Sequence, residues 1–337
     1  MLGALGLTPA LGNLRSALVR DLRVLAYHRV LADFDESSFA FDPELVSATE
    51  VEFDWQMAYV ARRFRPVTCA QVAEALDGGA ALPERAVMVT FDDGFRDNHD
   101  VAFPVLRRHG VPAVFFVSTG YIGSDSTFWF DRVVHVLLRT AQKQLPIAAL
   151  DLTIEPGETP AQRRADAERL LRVLKRLPDA LRLKVLQELE HAACLSPSVA
   201  DRMQSAVMTW DEVREMARAG MEFGSHSESH PILATLDDAA QLQRELEGSK
   251  RTLEHEIGRP VTALAYPVGG RDAVNAAVLE ATEAAGYRFA FTYLPGTNRL
   301  VATNPLLLKR IPVERYTTRR MFATALELPE LILGGRG

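Results

Sequence analysis

Cysteine is almost absent from this chain of 337 residues, which contains only Cys69 and Cys194. Two thiols so far apart in sequence provide neither a disulfide framework nor a thiolate metal site. An excess of basic charge is lacking as well, since the formal net charge is -6 and the sequence pI is about 5.8. This balance argues against a nucleic-acid partner and against an anionic membrane surface, because both are bound through basic patches.

Long apolar runs are also missing. The N-terminus, residues 1–18, is mildly apolar but is interrupted by Pro9, Asn13 and Arg15 and has no basic start. It falls short of the roughly 18 uninterrupted apolar residues that a membrane helix needs. We therefore expect no signal peptide, no transmembrane span and a cytoplasmic location, with peripheral membrane attachment through this segment left open.

The chain is 47% hydrophobic and 24% charged, which is typical of a globular protein. Its length suits one large barrel or two smaller domains. About seven strand-like segments alternate with helical ones, which indicates an α/β protein with a parallel sheet, open or closed into a barrel. Polar residues follow the carboxyl ends of several of these strands. That placement favours a barrel, because an open sheet gathers such groups only at its switch point.

Residues 87–91 form an apolar or β-branched run that ends in Asp92, Asp93 and Gly94. The run fits a parallel strand covered on both faces, and Gly94 allows a sharp turn after it. Neighbouring carboxylates at such a strand end repel each other unless a cation or a proton neutralises one of them. This stretch therefore predicts a metal site, although a helix cap or an ordinary turn is the alternative for an isolated Asp-Asp-Gly.

A second strand-like run precedes His226 and His230, which are spaced i, i+4. Imidazoles are natural further ligands, and one carboxylate with two imidazoles leaves coordination positions for water and substrate, as a hydrolytic metal requires. A hydrogen-bonded surface pair is the alternative for these histidines taken alone.

Residues 90–94 and 226–230 together resemble the first two motifs of the NodB-homology polysaccharide deacetylases, carbohydrate esterase family 4. The resemblance implies a distorted (β/α)7 barrel, which we expect over residues 20–337. Residues 125–207 are mostly helical in pattern and have no counterpart in the minimal family domain, so we expect them to form a helical insertion.

The resemblance also implies that Asp93, His226 and His230 bind a single divalent metal ion and that Asp92 is the general base for the attacking water. Zinc is the default for such borderline ligands, and cobalt, nickel or iron would fit the same open site. The expected reaction is hydrolysis of N-acetyl groups on an acetylated poly- or oligosaccharide, which releases acetate. The alternatives are deacylation of a small or lipid-linked sugar or another non-peptide amide, and a catalytically silent carbohydrate-binding barrel.

The third family motif aligns with residues 265–269, but Ala265 stands where the family usually has an arginine that orients the base. Arg29 and Arg310, both predicted near strand ends, are candidates to replace it. The backbone N–H of Val268 is expected to meet the developing oxyanion. A plain Pro-Gly turn is the alternative for this segment.

The histidine that usually serves as the family's general acid is missing, since no histidine follows His255. His28 is the candidate substitute because it follows an apolar strand, residues 24–27, and because some family members have a similar Tyr-His-Arg there. Imidazole, with a reference pKa of about 6.5, can protonate a leaving amine near neutrality. A histidine that only hydrogen-bonds the first strand into the barrel is the alternative.

Overall fold

The computed structural model describes residues 3–195 and 198–333. Residues 334–337, which end the expected barrel domain, and residues 196–197, within the expected insertion, lie outside the described residues. The strands are β1 (Arg23–Tyr27), β2 (Arg29–Leu31), β3 (Val46–Thr49), β4 (Arg65–Pro66), β5 (Ala86–Phe91), β6 (Ala113–Val117), β7 (Leu145–Ile147), β8 (Leu152–Ile154), β9 (Glu222–Ser225), β10 (Ala263–Ala265), β11 (Phe289–Pro295) and β12 (Leu308–Pro312).

The α-helices of the described residues follow the same chain order. They are α1 (Gly3–Leu18), α2 (Glu50–Arg63), α3 (Cys69–Leu76), α4 (Phe103–His109), α5 (Trp129–Arg139), α6 (Pro160–Leu174), α7 (Asp179–Ala193), α8 (Val199–Gln204), α9 (Trp210–Arg218), α10 (Ala239–Gln243), α11 (Ser249–Ile257), α12 (Ala276–Ala284), α13 (Arg319–Glu327) and α14 (Glu330–Leu333). None of these helices is both long and apolar enough to span a bilayer.

The central sheet closes on itself. Its strands are ordered β1, β12, β11, β10, β9, β6 and β5, and β5 pairs back with β1. Every pairing in this ring is parallel, and the short β4 adds to one end of β5. The structure therefore confirms the expected (β/α)7 barrel.

Burial and helix caps explain why the sequence folds this way. Every residue of β1, β5 and β6 is buried, as expected for strands with the barrel interior on one face and helices on the other. The helices α2, α3 and α9 begin at complete capping boxes on Thr49, Thr68 and Thr209, each of which is followed three residues later by Glu or Gln in the sequence. Left-handed Gly110 ends α4.

The segment expected as an insertion, residues 125–207, contains α5 to α8 and an antiparallel hairpin formed by β7 and β8. Its apolar side chains, among them Trp129, Leu170 and Leu186, form a cluster of their own beside the barrel core. This cluster also includes Phe95, Ile232 and Ala273 from outside the segment, which connect it to the loops around the site. The boundaries at residues 125–207 and 20–337 stay a prediction.

Candidate active site

A cavity of about 210 Å³ opens at the carboxyl ends of the barrel strands. The parallel strands β1, β5, β9 and β10 all end at this face, so residues far apart in sequence meet there. The structure brings every predicted site residue into the lining of this one cavity: His28, Asp92, Asp93, His226, His230 and Val268.

Asp93 and the two histidines form a compact buried group. The Oδ1 atom of Asp93 lies 3.4 Å from Nε2 of His226 and 3.3 Å from Nε2 of His230. The Nδ1 atom of His226 lies 2.7 Å from the carbonyl oxygen of Ala265. If Nδ1 donates its proton there, Nε2 of the neutral ring presents a lone pair toward the Asp93 carboxylate. A lone pair and a carboxylate at this distance repel each other unless a cation or a proton lies between them.

The donor set of this group fits one divalent ion. Ligand distances of about 2.0–2.2 Å in a tetrahedral zinc site place neighbouring ligand atoms roughly 3.3–3.6 Å apart, and the observed separations match. Asp93 Oδ2 and His230 Nδ1 are buried without a hydrogen-bond partner in the described part of the chain. Burial alone would raise the pKa of Asp93, but its contacts with His226 and His230 outweigh burial and hold that pKa below its usual value. The carboxylate is therefore ionised, as a metal ligand must be.

The turn that presents the histidines has a strained backbone. Ser227 and His230 both have positive φ angles, 65° and 56°, which are rare for residues other than glycine. The carboxylate of Glu245 holds this turn by accepting the N–H groups of Glu228 and Ser229, each at 2.9 Å. Sequence reasoning missed Glu245, because a lone glutamate on a predicted helix carries no signal for such a role.

Asp92 is held by Arg310 rather than by the family's usual arginine. The guanidinium makes two parallel hydrogen bonds of 2.7 Å to the two carboxylate oxygens, and both side chains are almost fully buried. Burial would raise the pKa of Asp92, but the charge and hydrogen bonds of Arg310, together with His226 and His28, outweigh burial and lower that pKa. Arg29, the other candidate, pairs with Asp97 at 2.8 Å and does not line the cavity. Arg310 thus supplies the cation that Ala265 cannot.

Removing this pairing is expected to impair both stability and turnover. Arg310→Met leaves Asp92 buried without a partner, which costs about 3–5 kcal/mol in the free energy of unfolding. Arg310→Lys keeps the charge but loses the planar fork, so we expect a smaller loss of stability and a lower kcat, because the base is no longer oriented. Denaturant unfolding and kcat of the folded fraction measure these effects. Arg29→Lys is the matched control, and an Arg310→Lys variant with the same kcat as Arg29→Lys would contradict the positioning role.

The ring of His28 faces the general-base candidate. Its Nε2 lies 3.9 Å from Oδ2 of Asp92, and the side chain is 16% exposed. The backbone of His28, not its ring, makes the local structural bonds: its N–H donates to the Ser47 hydroxyl and its carbonyl accepts from the Asn98 amide. This arrangement leaves the ring available for chemistry, and the role of general acid stays a prediction.

Val268 occupies a tight turn at the cavity. It has a φ of 64°, and the N–H of Gly269 donates to the carbonyl of Pro267 across it at 2.7 Å. A Cβ on Gly269 would lie 2.6 Å from the backbone nitrogen of Tyr293, so only glycine fits there. Within the described residues the Val268 N–H donates to no acceptor, and it is free to serve as an oxyanion donor.

In the described part of the 125–207 segment, two residues line the cavity. The Phe130 ring packs edge-on against His230 with centroids 5.3 Å apart, and Lys175 follows the end of α6. Phe128 and Trp129 are buried, so this aromatic run is a packing cluster of which Phe130 touches the cavity. The lining also includes Tyr266, Tyr293 and Arg310, and three acids from other parts of the chain, Asp42, Glu44 and Glu314.

Comparisons with known proteins agree with this geometry. The sequence profile of a family described as polysaccharide deacetylase matches residues 79–177 and 180–290, and so runs through most of the 125–207 segment. The poly-β-1,6-N-acetyl-D-glucosamine N-deacetylase of Escherichia coli (strain K12) is 41% identical over 68 residues, which are 20% of this chain and 10% of that protein. The putative polysaccharide deacetylase YxkH of Bacillus subtilis (strain 168) is 22% identical over 213 residues, 63% of this chain and 46% of that protein. The chain thus matches less than half the length of either relative.

Solved structures share the fold. The Streptococcus pyogenes deacetylase PplD, solved in complex with acetate, superposes with a TM-score of 0.61 at 18% identity, covering 91% of this chain and 98% of that one. IcaB from Ammonifex degensii superposes with a TM-score of 0.59 at 19% identity, covering 92% and 98%. Since the family profile matches more than half of the sequence and the predicted motif residues converge in one cavity, the chain belongs to the polysaccharide deacetylase family.

Proposed function

We propose that this protein hydrolyses N-acetyl groups of an acetylated poly- or oligosaccharide, releasing acetate and leaving a free amine. The observation that carries the proposal is the convergence of an oriented, ionised Asp92 with Asp93, His226 and His230 in one cavity. The names of the relatives support an N-acetylglucosamine polymer as the first substrate to test.

Asp93, His226 and His230 would hold one divalent ion, zinc by default, which when bound polarises the acetyl carbonyl and makes water more acidic. Asp92, fixed by Arg310, accepts a proton from the attacking water. The Val268 N–H donates a hydrogen bond to the acetyl oxygen as negative charge develops on it. His28 gives a proton to the leaving nitrogen, so that the amide bond breaks to acetate and an amine.

The test compares acetate and amine release from β-1,6-linked N-acetylglucosamine oligomers, chitin oligomers and an O-acetylated saccharide. We expect equal amounts of acetate and amine from an N-acetylated oligomer. Release from the O-acetylated saccharide alone would overturn the assignment to amide bonds. Saccharide binding without any acetate release by the zinc-loaded protein would instead indicate a catalytically silent barrel.

A general acid at His28 predicts a dependence on the leaving group. His28→Gln should fold and bind metal normally, lower the kcat for amide hydrolysis by about 10²-fold or more, and remove the alkaline limb of the pH–rate profile. An activated aryl acetate needs no protonation of its leaving group, so its hydrolysis should be largely retained. Asp92→Asn is the matched comparison because it should slow both substrates. If His28→Gln keeps both the amide rate and the alkaline limb, His28 is structural.

A further inference from the structure

Over residues 9–18, helix α1 packs with Gly12 and Ser16 toward the barrel and with three leucines outward. Gly12 and Ser16 are buried, and a Cβ on Gly12 would collide with the side chain of Glu327 in α13. On the opposite side Leu11, Leu14 and Leu18 are 49%, 61% and 78% exposed. Their spacing puts them on one helical face, which we call the leucine face. Surface helices of soluble proteins normally have the reverse arrangement.

Polar contacts fix α1 in this orientation. Arg63 donates to the carbonyl of Pro9 at 3.2 Å and to the side chain of Asn13 at 3.0 Å. Arg15 forms ion pairs of 2.6 Å with Asp21 and with Glu330. The small residues that face the barrel leave no room for the leucines on that side. The leucine face is thus held outward by the packing of the helix.

The surroundings of the leucine face are basic. Residues 1–20 include Arg15 and Arg20 but no acidic residue. Arg62 and Arg65 are exposed and form no ion pair within the described part of the chain. A groove beside α1 is lined by Asn13, Arg62, Arg63, Arg65, Pro83, Glu84 and Arg85. Its single acid, Glu84, lies 3.7 Å from Arg20. Three further acids pair with arginines around α1, namely Asp21, Glu327 and Glu330. The arginines still outnumber the acids, because Arg62 and Arg65 have no acidic partner among the described residues.

We propose that the leucine face binds an anionic lipid surface, with the leucines at the boundary of headgroups and acyl chains and the neighbouring arginines on lipid phosphates. Docking of a second copy through this face would bring two arginine groups together, which like-charge repulsion disfavours. The net charge of -6 argues against binding to anionic lipid when the chain is taken as a whole. That sum does not reveal the local excess of arginine around α1.

The position of α1 is compatible with access to substrate while the protein is bound. Arg85, which donates to Asn13 of α1, precedes β5, whereas Asp92 follows that strand. The helix therefore lies toward the amino ends of the strands and the cavity lies at their carboxyl ends. A bilayer against the leucine face would leave the cavity open to the aqueous side.

The test is co-sedimentation of the full chain with phosphatidylcholine vesicles that contain or lack phosphatidylglycerol, at low and high ionic strength. We expect binding to the anionic vesicles, weakened by salt, and at least a ~10-fold lower partition coefficient for Leu11→Gln/Leu14→Gln/Leu18→Gln. The matched control, Leu152→Gln/Val173→Gln/Leu183→Gln, alters comparably exposed apolar residues of the 125–207 segment and should bind like the wild type. Circular dichroism checks that each variant is folded.

Three results would overturn the proposal. The first is equal partitioning of the wild type and the leucine-face variant, and the second is no binding of the wild type to anionic vesicles. The third is a wild type that binds no vesicles and is a dimer in sedimentation velocity, while the leucine-face variant is a monomer, because the face would then join two copies of the chain. Arg62→Gln/Arg65→Gln should weaken binding to anionic vesicles and leave binding to neutral vesicles unchanged. Equal weakening on both kinds of vesicle would show that these arginines do not act on lipid phosphates.

Discussion

Asp92→Asn is expected to lower the kcat for acetate release by about 10²–10⁴-fold, the usual loss for a missing general base, while metal affinity stays unchanged. Asparagine keeps the shape of the side chain and an oxygen for Arg310, but it cannot take up a proton. The metal affinity should persist because Asp93, not Asp92, is grouped with the two histidines. Initial rates and metal content per chain measure the two effects.

Asp97→Asn is the control for this prediction. Asp97 is also a buried aspartate paired with an arginine, Arg29, but it does not line the cavity. The change at Asp97 should therefore affect stability more than the kcat of the folded protein. Near-normal turnover by Asp92→Asn would move the base role to another residue, and loss of metal from that variant would make Asp92 a ligand.

His226→Ala combined with His230→Ala is expected to abolish stable metal binding and, with it, acetate release. Two of three ligands are removed, and a single buried carboxylate cannot hold a hydrolytic metal ion against water. Metal content per chain after dialysis is the readout, and it does not depend on the identity of the substrate. An unchanged metal content in this double variant would show that the ion binds elsewhere.

A second group of side chains gives this experiment its control. His99, Asp100 and Glu212 also lie close enough together to hold an ion, but Asp100 is exposed and Arg96 pairs with Glu212 at 3.0 Å. His99→Ala should therefore leave both metal content and acetate release at the wild-type level. Loss of the ion from His99→Ala would place the metal at this surface group instead of in the cavity.

The barrel and the chemical types of the site residues could be predicted because they depend on local pattern. Continuous apolar runs such as residues 87–91 identify strands covered on both faces, and capping residues such as Thr49 and Thr209 identify the helix starts that separate them. Parallel strands place their following residues at one face, so Asp93 and His226 could be expected to meet although 132 positions separate them.

The partner of Asp92 could not be predicted from such patterns. Arg29 and Arg310 both lie near strand ends, and the choice between them depends on the closure of the barrel. Strand β12 joins β1, which in turn joins β5, and this order brings Arg310 to Asp92. Arg29 lies at the start of β2 and turns to Asp97. Strand order is a tertiary property that local sequence does not encode.

Irregular and very short elements were also beyond local pattern. The apolar spacing over residues 238–257 is typical of one continuous helix, whereas the structure has α10, a π turn over Arg244–Gly248 and α11. Glu245, which holds the histidine turn, lies in that π turn. Apolar spacing of three and four residues cannot reveal such a turn. The β2–β3 pair and the β7–β8 hairpin consist of strands of three or four residues, too short for a periodic signal.

The central claim is a metal-dependent deacetylase whose ion is held by Asp93, His226 and His230. The most direct test strips the protein with a chelator, titrates it with zinc and measures acetate release from an N-acetylglucosamine oligomer. We expect stripping to abolish acetate release, one equivalent of zinc per chain to restore it, and the His226→Ala/His230→Ala variant to gain nothing from added zinc. Full acetate release by the metal-free protein, or equal rescue of that variant by zinc, would contradict the account.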